Sequence, residues 1–174
     1  EHLPGGKIDG AAFMLGAHPV IAVSGRGKRF DKLFFALMHE VERLAEWLRA
    51  TSAPLTLIVH CAGVMLPKRT LTREGMETVF AVQYLARVEL TRLLIDWLPP
   101  ECKIVNVSAG GTMPIRLDFG NLNGEKWYNG VYALIHESIA NDLAALRLTR
   151  CYPHVRFYNY GPFYVRSGLF DSMP

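Results

Sequence analysis

The chain has 174 residues, of which 50% are hydrophobic and 20% charged, and its net charge is +3. This balance excludes an intrinsically disordered chain, and the length suits one domain over residues 1–174. We expect no membrane span, signal peptide or nucleic-acid site, because no apolar run nears about 20 residues, the first residues lack a leader pattern, and the basic residues are scattered.

The first half of the chain alternates short apolar runs with a helical pattern. Residues 19–24 (PVIAVS) are apolar and β-branched, and they predict a buried strand that ends before Gly25. Residues 30–49 carry apolar side chains at helical spacing and predict a helix, with Asp31 near its start. Residues 55–60 (LTLIVH) predict a second buried strand.

The second half repeats the alternation. Residues 72–98 predict a long helix, which a Pro-Pro pair ends. Residues 103–108 predict a third strand, 131–150 a third helix and 155–160 a fourth strand. Apolar strands that alternate with helices indicate an α/β fold, with a parallel sheet covered on both faces.

Ligands of such sheets bind beyond the carboxyl ends of the strands. Here those ends are residues 25–27, 60–63, 108–111 and 161–167, and each of them contains glycine. The glycines fit either tight turns or a close approach of the backbone to a ligand.

The three cysteines lie far apart, without a CxxC pair. They predict reduced thiols in the cytoplasm, with neither a disulfide framework nor a metal site. Cys61 and Cys102 are interpreted as small buried apolar residues, since most cysteines without a reactive environment behave this way.

Five segments carry the motifs of a known family, in that family's order. They are LIVHCAGVML, REGMETVFAVQYLARVELTRLLI, KIVNVSAGG, NLNGEKWYNGVYALIHESIAN and GPFYVRSGL. Over residues 55–170 the chain resembles the short-chain dehydrogenase/reductases, above all the retinol-dehydrogenase-like and fungal branches. The resemblance implies a Rossmann-like three-layer sandwich with a mostly parallel sheet, incomplete relative to the full fold, and carbonyl reduction or alcohol oxidation with NADP or NAD.

The resemblance also implies a catalytic set of Asn, Ser, Tyr and Lys, whose geometry and tuned pKa values carry the proton transfer. The matching positions here hold other residues: Gln83, Ala109, Leu134 and Ser138. A leucine has no proton to give and a serine supplies no cation. Ser108, directly before Ala109, is the nearest hydroxyl.

Tyr132 and His136 offer a substitute pair, because residues four apart lie on one helical face. The substitute shifts the motif by two residues, or roughly 200° around a helix of about 3.6 residues per turn. Two interpretations therefore stay open: Ser108, Tyr132 and His136 carry the chemistry, or Tyr132 is packed and His136 is solvated.

The N-terminal part fits the family's cofactor-binding loop in two registers. In the first register, residues 5–12 form a Gly-rich loop that matches the family's motif only in part, and residues 19–24 are the second strand. Arg26 then lies where NADP-preferring members hold the 2′-phosphate. In the second, 19–24 are the first strand and Ser24–Gly27 replace the loop, which predicts that Val20–Val23 pair with Leu57–Val59.

Either register leaves room for one helix before residue 55, so the family's usual third strand and its helix are missing. The residues that the resemblance assigns to cofactor binding are Gly25, Arg26, Gly27, Cys61, Ala62, Gly63, Pro162, Val165 and Ser167. Phe163 takes the place of the glycine in the family's Pro-Gly pair, where its ring would intrude on the nicotinamide.

Two functions follow as hypotheses. The first is an NAD(P)(H)-dependent oxidoreductase for a small or lipophilic carbonyl or alcohol, with a homodimer formed through helices 72–98 and 131–150. The second is an inactive relative, which binds a nucleotide or a partner or is a truncated gene product.

Overall fold

The computed structural model describes the sheet and the helices around it, over residues 11–15, 18–23, 37–51, 55–108 and 116–162. Five strands form one sheet in the order β1-β2-β3-β4-β5. They are β1 Ala11–Leu15, β2 His18–Val23, β3 Leu57–His60, β4 Cys102–Val107 and β5 Val155–Tyr160. Strands β2 to β5 run parallel, whereas β1 is antiparallel to β2.

The position of β2 decides between the two N-terminal registers. Val20 lies opposite Leu57 and Val23 opposite His60, so the predicted pairing of β2 with β3 is confirmed. The register with a Gly-rich loop over residues 5–12 is wrong, because β1 begins at Ala11 and β2 takes the place of a first strand. The apolar run of β2 is explained by its position between two neighbouring strands.

Within the described ranges, four α-helical elements follow the same order as the predicted helices. They are α1 Leu37–Thr51, α2 Thr78–Phe80, α3 Ala86–Leu94 and α4 Gly130–Cys151. A π-helical segment, Ala81–Leu85, joins α2 to α3 in one continuous helix over residues 78–94.

The long helix begins six residues later than the sequence predicts. The Glu77 carboxylate caps it, accepting the backbone N–H of Val79 at 3.0 Å and of Phe80 at 2.8 Å. The residues before Glu77 form a turn in which Gly75 has a φ of +77°, a conformation that a helix does not contain. A capping carboxylate and a left-handed glycine therefore fix the start of this helix.

The described helices cover one face of the sheet. Successive strand residues point to opposite faces, and in β4 Cys102 and Ile104 are buried while Lys103 is exposed. In β5 Val155 is buried, while Tyr158 and Tyr160 are exposed on the other side. The Rossmann-like fold is thus present in part, and the predicted cover of both faces is not seen among the described residues.

A continuous apolar core fills the space between α1, α3 and the sheet. Its buried members are Val41, Ala45, Leu48, Leu55, Ile58, Leu90, Leu94, Ile95, Leu98, Cys102, Ile104 and Val155. Their burial follows the apolar spacing of the two helices and the alternation of the strands. We call this set the apolar core.

Among the described residues, no helix is long and apolar enough to cross a membrane.

Candidate active site at the carboxyl ends of the strands

A buried arginine joins the carboxyl ends of β3 and β4. Arg87, on α3, is 4% exposed, and its guanidinium donates to the backbone oxygen of Val107 at 3.1 Å and of Ala62 at 2.8 Å. Both carbonyls lie where a parallel sheet presents its ligand-binding edge. Arg87 therefore holds two strand ends together and places a fixed positive charge behind that edge.

A buried carboxylate on α4 interacts with this cation. Glu137 is 1% exposed; Ser138 Oγ donates to its Oε1 at 3.0 Å and Asn141 Nδ2 to its Oε2 at 2.7 Å. Burial raises the pKa of Glu137 to about 7, against the opposing attraction of Arg87. Its charge consequently changes near neutral pH.

Asn141 also ties α4 to the long helix. Its Nδ2 lies 2.8 Å from the backbone oxygen of Gln83 and 2.9 Å from that of Glu137, so its two N–H groups are shared among these oxygens and Glu137 Oε2. Gln83 is buried within the π-helical segment, a distortion that often occurs at functional sites.

Two strand residues extend the polar region across the sheet. His60 and Asn106 are paired neighbours in β3 and β4, and Asn106 Nδ2 donates to Asn159 Oδ1 at 3.1 Å. Burial first, and the Arg87 charge second, lower the pKa of His60 from 6.5 to about 3, so its ring is neutral at physiological pH. We call the following residues the polar cluster: His60, Gln83, Arg87, Asn106, Glu137, Ser138 and Asn141.

Several buried polar atoms in and beside the cluster have no hydrogen-bond partner in the described part of the chain. They are His60 Nε2, Gln83 Nε2, Arg87 Nε, Asn106 Oδ1, Ser108 Oγ and Asn141 Oδ1. Buried polar atoms in folded proteins are nearly always paired, with protein, water or ligand. This edge of the sheet is therefore equipped to bind water or a polar ligand.

The residues at the family's four catalytic positions lie in different surroundings. Gln83 and Ser138 are members of the polar cluster. Leu134 contributes its backbone oxygen, which lies 2.9 Å from Ser138 Oγ and shares the single proton of that hydroxyl with Glu137 Oε1. Ala109 lies outside the described residues. Ser108 donates its backbone N–H to Tyr160 at 3.0 Å, and its Oγ is one of the unpaired atoms at the strand ends.

The rings of the substitute pair, Tyr132 and His136, are in contact at a centroid distance of 4.2 Å and tilted by 45°, and both residues line a pocket with Glu77 and Tyr128. His136 is 5% exposed and its Nε2 accepts the backbone N–H of Asp118 at 3.1 Å, so the prediction of a solvated histidine is wrong. Burial lowers the pKa of His136, which disfavours the cation that would activate Tyr132. The loop before α4 causes this burial.

The predicted cofactor-binding residues are described in part. Cys61 is exposed rather than buried because it follows the last residue of β3, whereas Cys102 is buried inside β4 as predicted. Burial raises the pKa of the Cys102 thiol to about 11, and all three cysteines are free. Ala62, Gly63 and Pro162 are half-buried. The others lie outside the described residues: Gly25, Arg26, Gly27, Phe163, Val165 and Ser167.

Known proteins resemble the chain in sequence over most of its length. Mouse retinol dehydrogenase 11 is 33% identical over 139 residues, which is 78% of this chain and 44% of that protein. The oxidoreductase andH of Emericella variicolor is 30% identical over 147 residues, 83% of this chain and 43% of that protein. The chain thus spans less than half the length of these relatives. No protein-family model matches the sequence.

Solved structures agree on the fold. An alcohol dehydrogenase from Thermococcus sibiricus in complex with 5-hydroxy-NADP has a TM-score of 0.55 at 18% identity, over 88% of this chain and 69% of that one. The angucycline C-6 ketoreductase LanV with bound NADP has a TM-score of 0.52 at 21% identity, over 75% of this chain and 51% of that one. The chain belongs to the short-chain dehydrogenase/reductase family. Its motif order, its relatives and its fold agree on this assignment.

Sequence reasoning about this short-chain dehydrogenase/reductase missed Arg87 and Glu137. A signal was present: Gln83 and Arg87 share the buried face of the long helix with Leu90 and Leu94. Charged residues on an apolar stripe are rarely fully buried without a partner, so their position itself indicates a paired, buried group. A partner on another helix was not visible from the sequence. Among the described residues, no group of His, Cys, Asp and Glu could hold a metal ion.

Proposed function

We propose that the chain is an NAD(P)(H)-dependent oxidoreductase that acts on a carbonyl or alcohol. The observation that carries this proposal is the similarity to retinol dehydrogenase 11 and to the oxidoreductase andH, over 78% and 83% of the chain. The strand edge held by Arg87 is where an open α/β sheet binds its ligand. One domain over residues 1–174 would carry the activity.

The polar atoms at this edge fit a dinucleotide cofactor. Ser108 Oγ and Gln83 Nε2 are buried and unpaired within the described residues, and cofactor hydroxyls or amides could complete their hydrogen bonds. Residues 61–63 and Pro162 would contact the cofactor from the strand ends, with Gly25, Arg26, Gly27, Val165 and Ser167 as further contacts predicted from the sequence. When bound, NAD(P)H supplies the hydride for carbonyl reduction.

A small or lipophilic carbonyl or alcohol is the proposed substrate, and nucleic acid is not a proposed partner. The proposal includes a homodimer through the long helix and α4. It also includes a cytoplasmic location, with which three free thiols agree, because such compartments keep thiols reduced.

An inactive relative is the second candidate. It is favoured by Leu134 and Ser138, which take the places of the family's Tyr and Lys and are bonded to each other through Ser138 Oγ and the Leu134 backbone oxygen. In that case the strand edge would bind a nucleotide without turning over a substrate.

Cofactor binding and turnover separate the two candidates. Energy transfer from tryptophan to bound NADPH, together with thermal shift, should show binding, and NADPH absorbance should then fall with a panel of aldehydes and ketones. No binding at millimolar NADPH contradicts both nucleotide-based candidates. Binding without turnover across the panel favours the inactive relative.

Arg26→Ala tests cofactor binding. In the register that the pairing of β2 with β3 supports, Arg26 belongs to the segment that replaces the Gly-rich loop and would contact the pyrophosphate. Because NADPH and NADH share the pyrophosphate, the variant should lose about tenfold in affinity for both, since one charged hydrogen bond contributes about 1.5 kcal/mol or more. Arg147→Ala, at an exposed position of α4, is the matched control. Unchanged affinity for both cofactors would contradict this role.

A further inference from the structure

The buried pair of Glu137 and Arg87 has a use in the proposed reaction. We propose that Glu137 stores the proton that the reacting carbonyl oxygen takes up, and that Arg87 compensates the charge that Glu137 acquires when the proton leaves. The inference rests on the proposed function, and it concerns two residues, Glu137 and Arg87, that occupy none of the family's four catalytic positions.

The contacts of Glu137 hold its carboxyl group in place without closing it to a further partner. Ser138 Oγ lies 3.0 Å from Oε1 and Asn141 Nδ2 lies 2.7 Å from Oε2, so one side-chain donor faces each oxygen. A carboxylate oxygen accepts two hydrogen bonds, so each retains capacity for water or for a proton. Asn141 is itself anchored on Gln83, which fixes the carboxyl group relative to the long helix.

Arg87 connects this carboxyl group to the edge where substrate would bind. Its guanidinium is bonded to the carbonyls of Ala62 and Val107, directly after β3 and at the end of β4. A cation fixed in this way cannot move off when Glu137 is neutral, and it is in place before the carboxylate forms. Preorganised charge of this kind stabilises an ion without reorganisation at the moment of reaction.

The surrounding charges make Glu137 the member of the polar cluster that titrates near neutrality. Arg87 favours its ionised form, while Asp142 on the same helix and burial favour the neutral form, which leaves the pKa at about 7. His60, which also faces Arg87, has a pKa of about 3 and stays neutral. The Cys61 thiol is near Arg87 too, but partial desolvation of this otherwise exposed residue raises its pKa.

Unpaired atoms beside Glu137 provide places for a proton path. Gln83 Nε2 and Asn141 Oδ1 are buried near the carboxyl group's own partners, and Ser108 Oγ lies directly after β4; none has a partner in the described part of the chain. Buried waters usually occupy such positions and bridge polar groups. Waters held at these atoms would form the proposed path for the proton from Glu137 to the strand edge.

The step balances as a reduction. Bound NAD(P)H would supply the hydride for the new C–H bond, the π electrons of the carbonyl would move to oxygen, and that oxygen would take a proton relayed from Glu137. The products are the alcohol, NAD(P)⁺ and the Glu137 carboxylate beside Arg87. A proton from solvent then restores the acid.

The test compares Glu137→Gln and Glu137→Asp with Glu46→Gln, an exposed glutamate of α1, in the full chain. Infrared difference spectra from about pH 5 to pH 9 should show a carboxylic acid that ionises near pH 7, in the wild type and in Glu46→Gln but not in Glu137→Gln.

With NADPH and a carbonyl substrate, Glu137→Gln should lose about 100-fold in kcat, with KM within about threefold, and the kcat inflection near pH 7 should vanish. Glu137→Asp should keep a titrating acid and part of kcat.

The other possible results distinguish failure of the inference from failure of the proposed function. If the wild type is active and Glu137→Gln keeps its kcat and pH profile, Glu137 is structural and the inference fails while the proposed function stands. A wild type that neither binds NADPH nor turns over fails the proposed function and the inference together. If Glu137→Gln does not fold, the wild-type infrared titration decides alone, and no acid ionising near pH 7 overturns the inference.

Discussion

The apolar core and the polar cluster are built from the same elements on the same face of the sheet. In β3 the buried residue changes from Ile58 to His60, and in β4 from Ile104 to Asn106. Along the long helix the buried face carries Gln83 and Arg87 first and Leu94 afterwards. The layer is thus apolar at one end of the strands and polar at their carboxyl ends.

The difference shows which region is maintained for stability. Burial of each apolar side chain contributes about 1.5–3 kcal/mol in the apolar core. In the polar cluster the desolvation of Arg87 and Glu137 offsets most of their attraction, and apolar residues of similar size often give equal or greater stability. A buried charged pair at the ligand-binding edge therefore indicates a function, since proteins depart from local consistency mainly at functional sites.

The largest effect is expected in the apolar core. Leu94→Ala removes a fully buried side chain between α1, α3 and the sheet, and should lower the free energy of unfolding by about 3 kcal/mol. Urea unfolding followed by circular dichroism measures this. Leu146→Ala, at a position that is 61% exposed on α4, is the control and should change little. Equal losses in both variants would contradict the placement of the core.

A pH-dependent effect is expected in the polar cluster. The folded-state pKa of His60, about 3, lies below its ordinary value of 6.5. Between these two pH values the unfolded chain binds more protons than the folded chain, so the free energy of unfolding decreases as the pH is lowered. Compared with His60→Gln, the wild type should lose about 2 kcal/mol between pH 8 and pH 5. Unfolding curves for both proteins at several pH values measure the difference.

The titration of Glu137 does not alter the stability difference between the wild type and His60→Gln. Its raised pKa contributes stability that is present below about pH 4.5 and lost as pH rises towards about 7, which is opposite in sign to His60. Both proteins contain Glu137, so its effect cancels in the difference. Parallel stability curves for wild type and His60→Gln would show that His60 is not buried in neutral form.

The smallest effect is expected for a surface ion pair outside both regions. Glu101 Oε2 accepts from Arg156 Nε at 2.7 Å, but the side chains are 66% and 56% exposed. Water and salt screen such pairs, so Glu101→Gln should leave the melting temperature within experimental error. A clear drop would mean that charge contributes to stability beyond the polar cluster.

Much of the fold could be predicted because the apolar pattern is local. Residues 155–160 were predicted as a strand with the bounds of β5, and the pairing of β2 with β3 followed from the family's strand order. The start of the long helix was misplaced, because Glu77 and Gly75 end the turn before it through contacts that periodicity does not encode. Strand β1 was not predicted, since AAFML lacks a clear alternation.

The candidate site could be predicted only in outline. Motif order located the strand ends and the positions of the family's catalytic residues, and Gln83 and Ser138 do lie together with other polar groups. The sequence placed Tyr132 with His136 correctly on one helical face but misjudged the environment of His136, which the loop through Asp118 covers. The position of Arg87 on the buried face of the long helix was a signal for a buried charge, but its interaction with Glu137 on another helix could not be predicted from the sequence.

The sequence by itself determined the family, the order of strands and helices and the apolar core, because motif order and apolar periodicity are properties of the chain read in one direction. Tertiary structure alone decided which polar residues meet. Arg87 and Glu137 are 50 positions apart (137 − 87 = 50) and on different helices, and their charges interact because α4 packs beside the long helix. Burial away from water then moves the pKa of Glu137 to about 7, an effect that depends on neighbours and solvent rather than on residue type.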